Sequence, residues 1–196
     1  MAEISIESIK KLKELSGVGL TDAKKALVEA DGDFDKALKA MREKGLTKAE
    51  KRGDRETREG IIDAYIHDGR LGAIVEVNCE TSFVAKTDEF KTLAHQIAMQ
   101  IASMNPLYVS EADIPADVKE AKMKELEANF KGPEKMKEQI LEGQAKKAFQ
   151  DKVLMNQPYI LDDSKTVEQF IKEAIAKTGE NITVKQFKRI ELGVVE

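Results

Sequence analysis

Few side chains here are both reactive and grouped. The two histidines, His67 and His95, stand far apart in the chain and Cys79 is the single cysteine, so nothing has the ligand spacing of a zinc site. Glu and Asp are so abundant that carboxylate pairs arise from composition alone, and no general acid and base can be singled out. A nucleophile with an activating base is not apparent either. A Gly-x-x-x-x-Gly-Lys-Ser/Thr loop is missing from the sequence, and Gly17-Val18-Gly19 opens a short helix without the strand and crossover that a dinucleotide site requires. Catalytic residues, a metal and a cofactor are therefore all expected to be absent. Both histidines read as surface or core-edge residues. Cys79, in strand-like sequence, reads as a small buried hydrophobe.

One residue resists such a reading. The alternating apolar stretch that ends in Glu76-Val77-Asn78-Cys79 runs straight into Glu80-Thr81-Ser82-Phe83-Val84-Ala85-Lys86, leaving Phe83 without an obvious core partner. Local sequence alone favours an ordinary strand-end aromatic tucked into its own core. The alternative is an exposed ring that anchors a protein interface.

The elements around it follow from hydrophobic spacing. Ile6, Ile9, Leu12 and Leu15 mark one apolar helix face, broken by Gly17-Val18-Gly19. Thr21 or Asp22 can cap a second helix with Ala23, Ala26, Leu27 and Ala30 on one face. Asp31-Gly32-Asp33 makes the next turn and cap, followed by Phe34, Ala37, Leu38 and Met41, with Gly45 as the stop. Three such helices around one small core form a domain over residues 1–45. Nine of the fourteen residues 46–59 are charged and the stretch carries no apolar stripe, so it reads as an exposed linker that lets this module move. A core domain is expected over 60–196.

Within it, Ile61 to His67 and Leu71 to Val77 flank Asp68-Gly69, a strong hairpin signal. A helix follows Asp88, with Phe90, Leu93, Ala94, Ile97, Ala98 and Ile101 on one face, and stops at Asn105-Pro106. Residues 113–155 are charged and broken at Lys131-Gly132-Pro133, which reads as a helical hairpin. Its apolar stripe is thin, so it is expected to project or to pack on a partner. A helix is expected from Asp163 to Lys177 and a last strand from Ile182 to Leu192. The fold class is thus α+β: a three-stranded antiparallel sheet covered on one face by helices, after a three-helix module. Apolar residues of both parities, Ile61 beside Ile62 and Ile74 beside Val75, mean that the second sheet face also needs covering.

Two segments carry a resemblance. Leu12 through Leu27, reading Leu-Lys-Glu-Leu-Ser-Gly-Val-Gly-Leu-Thr-Asp-Ala-Lys-Lys-Ala-Leu, and Glu76 through Lys86 are similar to the two signatures of bacterial elongation factor Ts. The likeness continues through Arg58-Glu59-Gly60-Ile61-Ile62, Ala98 to Pro106 and Phe187 to Gly193, nearly the whole chain. In that family the second signature usually reads Thr-Asp-Phe-Val, where this chain has Thr81-Ser82-Phe83-Val84. Lys13 and Ser16 stand where Arg and Thr are usual.

The resemblance implies a ubiquitin-associated-like fold for the first module and a nucleotide-exchange factor that binds GDP-loaded elongation factor Tu. It implies that Thr81, Ser82, Phe83 and Val84 dislodge the partner's magnesium and phosphate contacts, with Phe83 inserted between helices. It also implies that Val18, Gly19, Leu20, Asp22 and Lys24 face the partner's nucleotide domain, although plain capping and a solvated charge explain Asp22 and Lys24 as well. With Ser82 in place of aspartate, the ring outweighs local charge. Long members of the family carry two related core halves, whereas this chain has one and no repeat, so a homodimer through the sheet and a 2:2 complex are expected. The rival class is a protein-binding scaffold without exchange activity.

Composition agrees with these expectations. At 196 residues with 35% charged and 5% aromatic residues and no Trp, the chain suits a helix-rich protein with wide solvated faces. A net charge of −4 with interleaved signs argues against a direct nucleic-acid platform. No apolar run approaches the roughly 20 residues that span a bilayer, and Met1-Ala2-Glu3-Ile4 has no signal-peptide character, so a cytoplasmic location without membrane contact is expected.

Overall fold

A computed structural model describes residues 4–16, 19–130 and 136–194. The element order is α1 (Ile6–Ser16), α2 (Leu20–Glu29), α3 (Phe34–Glu50), β1 (Glu59–His67), β2 (Leu71–Cys79), α4 (Ser82–Ala85), α5 (Asp88–Met104), α6 (Ala116–Ala128), α7 (Lys137–Gln150), β3 (Pro158–Tyr159), β4 (Asp162–Thr166), α8 (Val167–Thr178) and β5 (Ile182–Glu191). The fold class is α+β, with a three-stranded antiparallel sheet in the order β1-β2-β5. The chain divides into two compact units. One comprises Met1–Ile62, Glu76–Ala94 and Gln169–Val184; the other comprises Asp63–Val75, His95–Glu168 and Lys185–Glu196.

In the first unit, Leu12 of α1, Ala23, Ala26 and Leu27 of α2, and Ala37 and Met41 of α3 form one buried cluster together with Ala30. These are the apolar positions set by helical spacing, and small alanines let the short helices approach closely. Asp33 caps α3, its carboxylate accepting the Lys36 N–H at 3.0 Å. The helix expected to stop at Gly45 instead continues to Glu50. Gly45 serves a different purpose, because a β-carbon there would lie 3.1 Å from that of Ala176 in α8. A glycine inside a helix costs about 1 kcal/mol against alanine. Here it marks a close helix–helix approach rather than a terminus.

The charged stretch beyond α3 is fastened within the same unit. Arg52 donates to the Ile175 carbonyl at 3.3 Å, and the Thr57 and Thr183 hydroxyls pair at 2.8 Å. Charge patterning could not show this, since the partners lie over a hundred residues away.

The second unit holds the turn of the β1-β2 hairpin. Asp68 and Gly69 have φ of 48° and 66°, and the Arg70 N–H returns to the His67 carbonyl at 2.9 Å, a tight two-residue turn whose positive φ values suit the twist of the strands. The α6–α7 hairpin is present, with its break at 131–133 outside the described residues. No residue of α6 is buried, whereas Phe149 of α7 joins Ile114 and Val153 in a small cluster. Two buried amides complete this unit. Gln100 donates to Gln157 Oε1 and the Pro158 carbonyl, both at 3.1 Å, and Gln157 donates to the Asp151 carbonyl at 2.7 Å.

The helix expected from Asp163 begins only at Val167. Asp162–Thr166 is strand β4, paired with β3 in a second, two-stranded sheet that periodicity did not show. Asp162-Asp163-Ser164 is too polar to display an alternating face.

Candidate protein-contact site

Strand β2 ends at Cys79, fully buried, whose thiol donates to the Thr81 carbonyl at 3.2 Å. Burial, and after it the nearby Glu180 carboxylate, push this thiol above its usual value, as befits a packed sulfhydryl rather than a nucleophile. The chain then turns. Thr81 is extended, with φ −130° and ψ 150°, and its hydroxyl oxygen accepts the Val84 N–H as the N-cap of the four-residue helix α4.

Helical geometry decides what α4 shows. Val84 and Ala85 are buried, and a rotation of about 100° per residue leaves Phe83 on the opposite side. Phe83 is 80% exposed, more than any other large hydrophobic residue among those described. Ser82 beside it is exposed as well. The core-aromatic reading favoured by local sequence is thereby corrected: the apolar anchor of the turn is Val84, and the ring is left in solvent. A phenylalanine withheld from burial forgoes roughly 1.5–3 kcal/mol of stability, which makes its exposure informative.

The turn is braced from outside. The Glu180 carboxylate accepts both the Thr81 N–H at 3.0 Å and the Thr81 hydroxyl at 2.5 Å. Asn181, 2% exposed, donates its amide to the carbonyls of Arg55 at 2.7 Å and Gly53 at 3.2 Å, and its backbone N–H to Glu80 at 2.7 Å. The Arg55 guanidinium lies 3.5 Å from Glu80. Sequence reasoning missed Glu180 and Asn181. No local signal marks them, because each meets its partners across about a hundred residues of chain.

The N-terminal candidates fall partly as expected. Helix α2 starts at Leu20 with Gly19 as N-cap and no side-chain capping bond, so neither Thr21 nor Asp22 caps it. The helix begins earlier than those two capping residues suggest. Leu20 and Lys24 are exposed and lie one helical turn apart on one face, whereas Asp22 is half-buried and about 200° away from Leu20 around the helix axis. Gly19 is open, since a β-carbon there would meet nothing within 4 Å. Val18 lies outside the described residues.

His95 Nδ1 lies 3.1 Å from Asp63 Oδ2 in the second unit, and His67 Nδ1 lies 2.9 Å from the Tyr65 hydroxyl. These are exposed polar contacts at the sheet. Among the described residues no three His, Cys, Asp or Glu side chains are grouped to hold a metal ion, and no helix is long and apolar enough to cross a membrane.

Comparison with known proteins agrees with the two signatures. The family model described as Elongation factor TS matches residues 7–194. Elongation factor Ts of Thermotoga maritima (strain ATCC 43589 / DSM 3109 / JCM 10099 / NBRC 100826 / MSB8) is 52% identical over 193 residues, covering 97% of each chain. The same factor of Thermoanaerobacter sp. (strain X514) is 47% identical over 194 residues, covering 97% of this chain and 95% of its own. The chain belongs to the elongation factor Ts family, and its role is that of a translation elongation factor.

Proposed function

We propose that this chain binds GDP-loaded elongation factor Tu in the cytoplasm and accelerates GDP release without making or breaking a covalent bond. The observation that carries the reading is the exposed Phe83 on a braced turn whose other apolar residues are buried. An aromatic ring already in solvent can enter a partner without unfolding its own core, and such rings commonly anchor interfaces. Phe83 inserts between helices of the partner's nucleotide domain, with the exposed Thr81 and Ser82 forming the rest of the contact while the buried Val84 anchors the turn from inside, and displaces the elements that hold magnesium and phosphate. Binding of factor and nucleotide then oppose each other reciprocally. Each tenfold loss of GDP affinity requires about 1.4 kcal/mol of coupling, within reach of one desolvated aromatic anchor.

The second contact comes from the three-helix module, through Val18, Gly19, Leu20, Asp22 and Lys24. Its buried cluster lies wholly within residues 12–41, which supports a domain over 1–45 that closes its own core. Residues 46–59 connect it to a core domain at 60–196. The exposed aliphatic residues Ile66, Ile74 and Ile190 of the sheet, with Leu192 just beyond β5, support a homodimer that covers the sheet and binds two partner molecules.

The deciding experiment follows fluorescent GDP leaving elongation factor Tu with and without the chain. Acceleration of release supports exchange. Binding with an unchanged release rate would instead establish the scaffold reading.

A further inference from the structure

We infer that Glu180 is the positioning residue of the Phe83 turn, and that Asn181 next to it ties the chain leaving the three-helix module to the same point. The inference rests on the exchange reading above and deepens it by naming what sets the ring's direction. A four-residue helix cannot hold its own orientation, since one turn of helix returns too few hydrogen bonds for the backbone entropy it fixes. The internal cap is also long, with the Val84 N–H 3.5 Å from the Thr81 hydroxyl oxygen. The two bonds from Thr81 to Glu180, at 3.0 and 2.5 Å, are shorter than that cap and have a carboxylate acceptor, which strengthens them, while the far end of the turn is held by the Thr87 hydroxyl donating to the Val84 carbonyl at 2.8 Å.

Glu180 is itself held. It follows Gly179, whose φ of 81° and N–H bond to the Ile175 carbonyl end α8, and its own N–H reaches the Thr178 hydroxyl oxygen at 3.4 Å. Asn181 then begins a second set of bonds, to Gly53 and Arg55 through its side chain and to Glu80 through its backbone. Three stretches of chain, 53–55, 80–81 and 180–181, are thus joined at one place. A partner that grips the module and receives Phe83 meets two contacts that are fixed to each other through this knot.

The test uses the full-length chain in excess over elongation factor Tu loaded with fluorescent GDP, and reads the saturating release rate separately from the half-saturating concentration. Glu180→Ala should lower the saturating rate about tenfold while the half-saturating concentration stays within about twofold, because the ring is misdirected after binding. Thr81→Val should do the same more weakly, and the double variant should be no worse than Glu180→Ala, since both remove one interaction. Glu180→Gln should recover part of the rate through its remaining amide oxygen. A merely structural role would lower the melting temperature or raise the half-saturating concentration and leave the saturating rate at wild type, and that result overturns the inference. Phe83→Ala separates the two levels. If it slows release while Glu180→Ala does not, positioning fails and exchange stands; if Phe83→Ala itself releases GDP at the wild-type rate, the exchange reading fails and takes the inference with it.

Discussion

Replacing Phe83 by alanine should separate function from stability. Truncating a fully buried phenylalanine costs about 3–5 kcal/mol. With Phe83 80% exposed, about one fifth of that applies, so the stability loss should be below about 1 kcal/mol. Alanine also favours helix over phenylalanine by about 0.5 kcal/mol, which offsets part of the remainder. For a chain of this size 1 kcal/mol corresponds to about 2–4 °C in melting temperature, so the midpoint should move by no more than that. At a partner interface the same ring, as an anchor, is worth about 2 kcal/mol or more, about thirtyfold in rate or affinity. Thermal unfolding followed by circular dichroism gives the first quantity and fluorescent GDP release from elongation factor Tu the second. The reasoning is refuted by the opposite pattern, a fall of ten degrees or more, on the order of 3 kcal/mol, with normal exchange.

Other expectations follow from single contacts. A β-carbon at Gly60 would lie 2.2 Å from the Val77 carbonyl oxygen and 2.8 Å from the Asn78 Cα, both backbone atoms, so Gly60→Ala should destabilise by about 2 kcal/mol or more in a denaturant melt; an unchanged midpoint would show that β1 can shift away. Placing Ile66→Lys together with Ile190→Lys on the exposed sheet face should convert a dimer to monomer with little loss of secondary structure, read by light scattering against the 21.8 kDa chain mass; a wild-type chain already at that mass removes the dimer. Cys79 holds its proton more tightly when folded, so the unfolded chain releases it first as pH rises past the ordinary thiol value of 9.0. Stability should therefore fall above that pH, and Cys79→Ala should flatten that part of the profile in pH-dependent melts.

The local features were readable from the chain alone because their causes are local. Helical spacing of Leu12, Ala23, Leu27 and Met41 fixed the three-helix module, and Asp68-Gly69 fixed the hairpin, since a two-residue turn with positive φ admits few other residues. Two spaced signatures identified the family. What sequence alone could not decide was set by contacts between distant segments. Gly45 looked like a stop until α8 came beside it, and Asp162–Thr166 showed no strand pattern because its pairing with Pro158–Tyr159, rather than a buried face, makes it a strand. Phe83 illustrates the difference most directly. The sequence placed an aromatic after a strand, but only packing decided that Val84 and Ala85 would take the interior and leave the ring in water. The brace at Glu180 and Asn181 belongs wholly to the tertiary level, because a carboxylate or an amide carries no sequence pattern that names its hydrogen-bond partner a hundred residues away.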